Sequence, residues 1–218
     1  SVGQTIIQFT VGVGYRDYAH PLRIMKLNTK PKGVGEMPKL YEYDLGKASD
    51  ILVKEIFQLK KGETFVITAD TESDESVVNA TARSAFAAGA KPMVIWLPAP
   101  HGVGKAADPM LPINALSAAL CEADAWVEFN NQWLLYSTPF EIATEKNKNL
   151  RYLCLVGMDA ELMMRVIGRV DKTALSKFLH KVTEITGKAK HIRMSTPVGT
   201  DVSFKTNPNN AMACDDGD

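Results

Sequence analysis

The sequence predicts an α/β fold, an open and mainly parallel sheet with helices on both faces. Three observations carry this. Short, continuously apolar runs such as Phe65-Val66-Ile67 suit strands buried on both faces of a parallel sheet. Segments with apolar residues three and four apart, the mark of helices with one buried stripe, alternate with those runs. The strand after Lys61-Gly62-Glu63 ends on a carboxylate, Asp70, and leads straight into a helix, as ligand-binding α/β domains do. The architecture expected is therefore Rossmann-like, preceded by an N-terminal arm.

Residues 1–44 form that arm: Thr5 to Val13 alternate weakly, as a strand could, and Gly, Pro and Lys thicken from Pro31 to Pro38. Residues 45–206 form the α/β domain. Its first helix carries Leu45, Ala48, Ile51, Leu52, Ile56 and Leu59 on one stripe. After the Asp70 strand comes a helix from Glu75 to Ala88, with Asp74 as N-cap and Gly89 as its stop. A strand at Met93–Leu97, a long loop, a helix at Ile113–Ala123 and a strand at Ala125–Phe129 follow. Thr138–Lys146 is helical, with Pro139 in its first turn, before a strand at Tyr152–Val156. Helices at Ala160–Ile167 and Lys172–Thr186 precede a strand at Ile192–Thr196. Val202–Phe204 offers a last short strand, for which the brief connection favours antiparallel pairing. Residues 207–218 read as a C-terminal tail.

Composition narrows the function. A chain of 218 residues with 45% hydrophobic content can bury a sizeable core. Lys plus Arg equals Asp plus Glu at 25 each, so no field of one sign draws in nucleic acid or an anionic membrane. Small molecules and protein partners fit better. Cys121, Cys154 and Cys214 lie far apart, which points to a reducing, cytoplasmic compartment. No apolar run approaches the roughly 20 residues needed to span a bilayer, and Ser1-Val2-Gly3-Gln4 lacks the basic start of a signal peptide.

In such a sheet ligands bind beyond the carboxyl ends of the strands, where strand order reverses. The loops to search are Asp70–Asp74, Pro98–Lys105, Asn130–Ser137, Gly157–Asp159 and Thr196–Asp201. Helix capping is the simpler account of Asp74, while Asp70 stands open between capping and binding. His101-Gly102-Val103-Gly104-Lys105 lacks the spacing of a phosphate loop and the Ser or Thr after its Lys. His20, His101, His180 and His191 are isolated, which argues against a complete metal site within the chain. No Gly-x-Ser-x-Gly elbow offers a nucleophile. Cys214-Asp215-Asp216-Gly217-Asp218 has the charge for a cation but reads first as a solvated terminus.

Asn130-Asn131-Gln132-Trp133-Leu134-Leu135-Tyr136-Ser137 gathers amides, a phenol and a hydroxyl at the expected rim. Tyr136 can donate a hydrogen bond or proton to developing negative charge and is the catalytic candidate. Asp70, Asn131, Ser137 and Asp201 are the substrate-binding candidates. Asp201 closes Gly199-Thr200-Asp201, a turn whose side chains can equally serve to brace the backbone.

Taken in order, Lys61-Gly62-Glu63 before the Asp70 strand, Ala88-Gly89-Ala90, Glu122-Ala123-Asp124-Ala125 and Gly199-Thr200-Asp201-Val202 carry a resemblance. From Leu59 to Phe204 the chain resembles the N-terminal half of the thermophilic metalloprotease family of aminopeptidases, which includes aminopeptidases T and S. That superfamily is similar to the 2,5-dihydroxypyridine ring-cleaving dioxygenases, which use non-haem iron. The dioxygenase branch carries Leu-Leu-His-Ser where this chain reads Leu134-Leu135-Tyr136-Ser137. The resemblance implies that the metal ligands belong to a C-terminal half, so none is carried over to a residue of this sequence. It implies a divalent metal (zinc, cobalt, manganese or iron) held mainly outside this chain, a second half or partner polypeptide, and a homodimer. A phenol with pKa near 10 is a poor base at neutral pH, so Tyr136 in place of His favours hydrolysis of an amide or peptide bond of a small substrate. On that expectation the chain walls the pocket and is inactive alone. The alternatives are an iron-dependent ring-opening dioxygenase and a non-catalytic binding domain.

Overall fold

Residues 8–10, 42–207, 209–210 and 214 are described by a computed structural model. They fall into two compact units, one within residues 38–170 and the other joining the first strand to the residues from Asp171 onward. The predicted arm from Pro31 to Pro38, and all of the Thr5–Val13 segment except residues 8–10, lie outside the described residues.

The larger unit holds four parallel strands, β2 (Thr64–Asp70), β3 (Lys91–Leu97), β4 (Ala125–Glu128) and β5 (Arg151–Cys154), in the order β3-β2-β4-β5. β2 pairs with β3 from Thr64 opposite Lys91 to Asp70 opposite Leu97, and with β4 from Phe65 opposite Ala125 to Thr68 opposite Glu128. Alternation sends side chains of these central strands to two cores. Phe65, Ile67, Ala69, Val127 and Phe129 pack under α1 (Glu42–Ile51), α2 (Glu75–Ala87) and α5 (Ala160–Met163). Val66 and Trp126 pack under α3 (Ile113–Cys121) and α4 (Thr138–Lys146). Each large apolar side chain fully buried this way stabilises the fold by roughly 1.5–3 kcal/mol before entropy is counted. Helices therefore cover both faces, as the apolar runs require. β3 lies at the sheet edge, where Pro92 costs no ladder bond.

Local chemistry sets the element boundaries. Asp74 caps α2, accepting the Ser76 N–H at 2.8 Å, and its other oxygen accepts the Ala160 N–H at 3.1 Å at the start of α5. Gly89, at φ +85°, ends α2 where a side chain would be strained. The single helix expected across Leu45 to Leu59 is α-helical only to Ile51 and continues as a π-helical turn, Leu52–Ile56. The helix expected at Ala160–Ile167 likewise becomes α5 followed by a π-helical turn, Met164–Gly168. At the opposite end of the sheet from the candidate loops, Arg151 donates to the Phe57 carbonyl and to Glu63, both at 2.6 Å, tying β5 to the approach to β2.

The smaller unit contains β1 (Gln8–Thr10), α6 (Lys172–Lys188), β6 (His191–Ser195) and β7 (Asp201–Lys205). β6 pairs in parallel with β1 and antiparallel with β7, from His191 opposite Lys205 to Ser195 opposite Asp201. The antiparallel last strand is as the short connection predicts. β6 does not extend the four-stranded sheet, as the run of alternating elements suggests, because its ladder partner comes from the start of the chain. No described helix is long and apolar enough to cross a membrane.

Candidate functional site

After β2 the chain forms β3 on one side and then crosses to β4 on the other, so strand order reverses between β2 and β4. The carboxyl ends of these two strands are where a parallel sheet of this kind places a ligand. β2 ends there on the buried Asp70 and β4 on the buried Glu128.

Asp70 uses both carboxyl oxygens within the protein. Oδ1 accepts the Glu72 N–H at 3.0 Å and Oδ2 accepts the Gln132 N–H at 2.9 Å. The Ser73 hydroxyl lies 3.0 Å from the Phe129 carbonyl, and Asn131 Nδ2 donates to the Glu72 carbonyl at 3.0 Å. The turns after β2 and β4 are thus laced together across the switch point. Asn130 is wholly buried beside them, and neither its amide nitrogen nor its oxygen finds a hydrogen-bond partner among the described residues.

The loop that continues from Asn131 is fixed at nearly every step. The Trp133 carbonyl accepts the Gly104 N–H at 2.9 Å, and the Leu134 N–H donates to Glu128 Oε1. Ser137 is buried as the N-cap of α4, its hydroxyl accepting the Phe140 N–H at 3.4 Å. Thr138 donates its N–H and hydroxyl to Asp108 at 2.9 and 2.6 Å. Tyr136 stands at φ +65°, a left-handed conformation rare for a bulky residue, with 65% of its surface exposed. Its ring meets the edge of Phe140 at 5.9 Å.

Beneath the loop, Glu128 Oε2 accepts the Tyr152 hydroxyl at 2.5 Å. Burial pushes the Glu128 carboxyl up to about 7, against the pull of the Tyr152 hydroxyl and the Leu134 amide. Burial, reinforced by the Glu128 charge, raises both the Tyr152 phenol and the Cys154 thiol.

Of the residues singled out in the sequence, Asp70, Asn131, Tyr136 and Ser137 come together at this rim. Asp201 belongs to the smaller unit, where it accepts a bidentate ion pair from Arg193 at 2.8 and 2.7 Å. His101–Lys105 proves to be a brace: Gly104 supports the Trp133 carbonyl, and Lys105 pairs with Glu141 at 2.5 Å. Glu128 is the residue that sequence reasoning passed over. Its signal is a lone carboxylate between Val127 and Phe129 in an apolar strand. Among the described residues, no three His, Cys, Asp or Glu side chains stand close enough to hold a metal ion. The rim as described thus does not fit a metal centre, and what it offers is hydrogen bonding and shape.

The NicX family model, that of 2,5-dihydroxypyridine 5,6-dioxygenase, matches residues 52–215. The chain belongs to this family. The 2,5-dihydroxypyridine dioxygenase of Pseudomonas putida KT2440 shares the fold, with TM-score 0.54 and 19% identity over 76% of this chain and 48% of that one. Wild-type AmpT from Thermus thermophilus aligns with TM-score 0.45 and 14% identity, over 74% of this chain and 58% of that one. No curated protein sequence matches the chain. This NicX-family chain spans about half the length of the solved dioxygenase.

Proposed function

We propose that this chain is the α/β part of a non-haem iron, ring-opening dioxygenase acting on a 2,5-dihydroxypyridine or a similar small hydroxylated ring, with an active site completed by further polypeptide. The observation that carries this is the family match over residues 52–215. It favours ring opening over the amide hydrolysis expected from the sequence. In this reading the iron is held by residues beyond those described, on a C-terminal half or a partner chain, and the assembly is a homodimer. Three free cysteines suit a cytoplasmic setting.

The rim supplies the substrate-facing wall. Tyr136, exposed at the tip of the tethered loop, donates a hydrogen bond to an oxygen where negative charge develops. It occupies the place of the His in the Leu-Leu-His-Ser segment of the related branch, and its hydroxyl orients and polarises the substrate as a hydrogen-bond donor. Asn131 keeps its carbonyl oxygen beside Gly157, where an added Cβ would come within 3.6 Å, and is the second substrate contact. Asp70 and Ser137, both buried, contribute by holding the wall in shape.

The test is oxygen consumption by the native protein, isolated with whatever polypeptide accompanies it, on adding 2,5-dihydroxypyridine and ferrous iron. Uptake of oxygen coupled to loss of the ring supports the reading. Release of amines from aminoacyl amides with no oxygen uptake overturns it in favour of hydrolysis. In the active protein, Tyr136→Phe should lower kcat by about 10²-fold with the fold intact.

A further inference from the structure

We propose that Glu128 is the positioning residue of the rim loop: it clamps the Leu134 amide with one carboxyl oxygen and the Tyr152 phenol with the other, so that proton uptake at this buried carboxyl changes how Tyr136 is presented. The functional weight of this rests on the role proposed above for Tyr136; the clamp itself rests on geometry alone.

Two routes connect Glu128 to Tyr136. Along the backbone, Oε1 holds the Leu134 N–H, two residues before Tyr136, and the Leu134 carbonyl in turn accepts the Ser137 N–H at 2.8 Å, closing the turn that carries Tyr136. Through the side chains, Oε2 holds Tyr152, whose ring lies 4.4 Å from Trp126 and 5.1 Å from Phe140, and Phe140 meets the Tyr136 ring at 5.9 Å. Phe140 therefore packs against both the clamp's partner and the exposed phenol.

The protonation state matters because an ionised carboxyl only accepts, and the groups presented to it, an amide N–H and a phenol O–H, both donate. With a proton on it, one oxygen becomes a donor with less capacity to accept, and the charge that strengthens the Leu134 and Tyr152 bonds is lost. The titratable groups against Glu128 are Tyr152 and Cys154, both from β5, and both raised, so they keep their protons while Glu128 titrates. The loop contributes the amides of Leu134 and Leu135. Asp70, the other buried carboxyl of this rim, is engaged by the Gln132 and Glu72 amides.

The test is a titration of the full chain by amide NMR between about pH 5.5 and 8.5, a window centred on the range a buried carboxyl reaches. The amides of Leu134, Leu135 and Tyr136 should move with one shared midpoint near neutrality, while that of Gly62, at the far end of β2, stays still. Glu128→Gln should abolish the movement. Tyr152→Phe, which removes a donor that favours the ionised form, should shift the midpoint upward, and it serves if the Gln variant does not fold. Amides that fail to titrate, or that titrate unchanged in either variant, overturn the proposal. Because this needs neither substrate nor metal, its failure leaves the dioxygenase reading standing. Absent oxygen uptake alongside a clear titration would instead remove the reaction and keep the clamp.

Discussion

Asp70 and Glu128 place carboxyl groups in the interior and spend them on backbone amides of the loop at 132–134, so each is worth more as an acceptor than as a charge. For Asp70→Ala, the orphaned Glu72 and Gln132 amides should cost about 2–4 kcal/mol in urea denaturation, with the loop amides losing hydrogen-exchange protection first. A loss under about 0.5 kcal/mol would mean that water replaces the carboxylate without penalty. Glu128 gives a pH dependence whose sign is fixed. Its folded pKa, about 7, lies above the ordinary value of 4.5, so the folded state holds the extra proton. The stability it contributes is complete below about pH 4.5 and is lost as pH rises through about 7. The wild type should therefore lose up to about 3 kcal/mol from this group between about pH 4.5 and 8, and Glu128→Gln should flatten that part of the profile. A wild-type profile that rises over the same interval, with no change in the variant, would contradict the assignment. The sequence showed Tyr136 and Asn131 because polar and aromatic groups cluster in one rim loop. It hid Glu128 because a single acidic letter at a strand end looks the same whether buried or solvated.

At the scale of elements, the strands and caps were legible. β2, β4 and the Asp74 and Gly89 boundaries of α2 follow from apolar runs and turn chemistry that act locally. The π-helical turns after α1 and α5 were not, since an extra residue per turn leaves the spacing of apolar residues nearly helical. Nor was the partner of β6, because a ladder between the two ends of a chain leaves no mark in local sequence. The segment 98–112 read as loop, yet it contains a 3₁₀ stretch, Gly104–Met110, that supports the rim. Gly104 stands at φ +56°, and a Cβ there would come 2.9 Å from the Leu135 carbonyl oxygen. Gly104→Ala should therefore destabilise the larger unit by about 1–3 kcal/mol. The displaced loop should also change the emission of Trp133, which is read against a Trp133→Phe control. An unchanged Tm and unchanged emission would show that the two segments are not coupled.

At the scale of the whole molecule, the four-stranded sheet has a built rim at its switch point, and the described residues include no cluster able to hold a metal. The family it belongs to is named for an oxygen-using ring cleavage, and the chain spans 48% of the solved member's length. The active site proposed above is a shared one, with this α/β unit as one wall and the metal-bearing wall supplied by other polypeptide. The proposed second half and iron leave no mark in local patterns, because the residues that would supply them are not among those described. Native mass spectrometry of the protein from its source, with metal analysis of the same sample, tests this most directly. The expected result is that the 23.9 kDa chain travels in a larger assembly that carries iron and is continuous with, or joined by, further polypeptide. A lone 23.9 kDa chain that by itself binds iron and consumes oxygen with 2,5-dihydroxypyridine would contradict it.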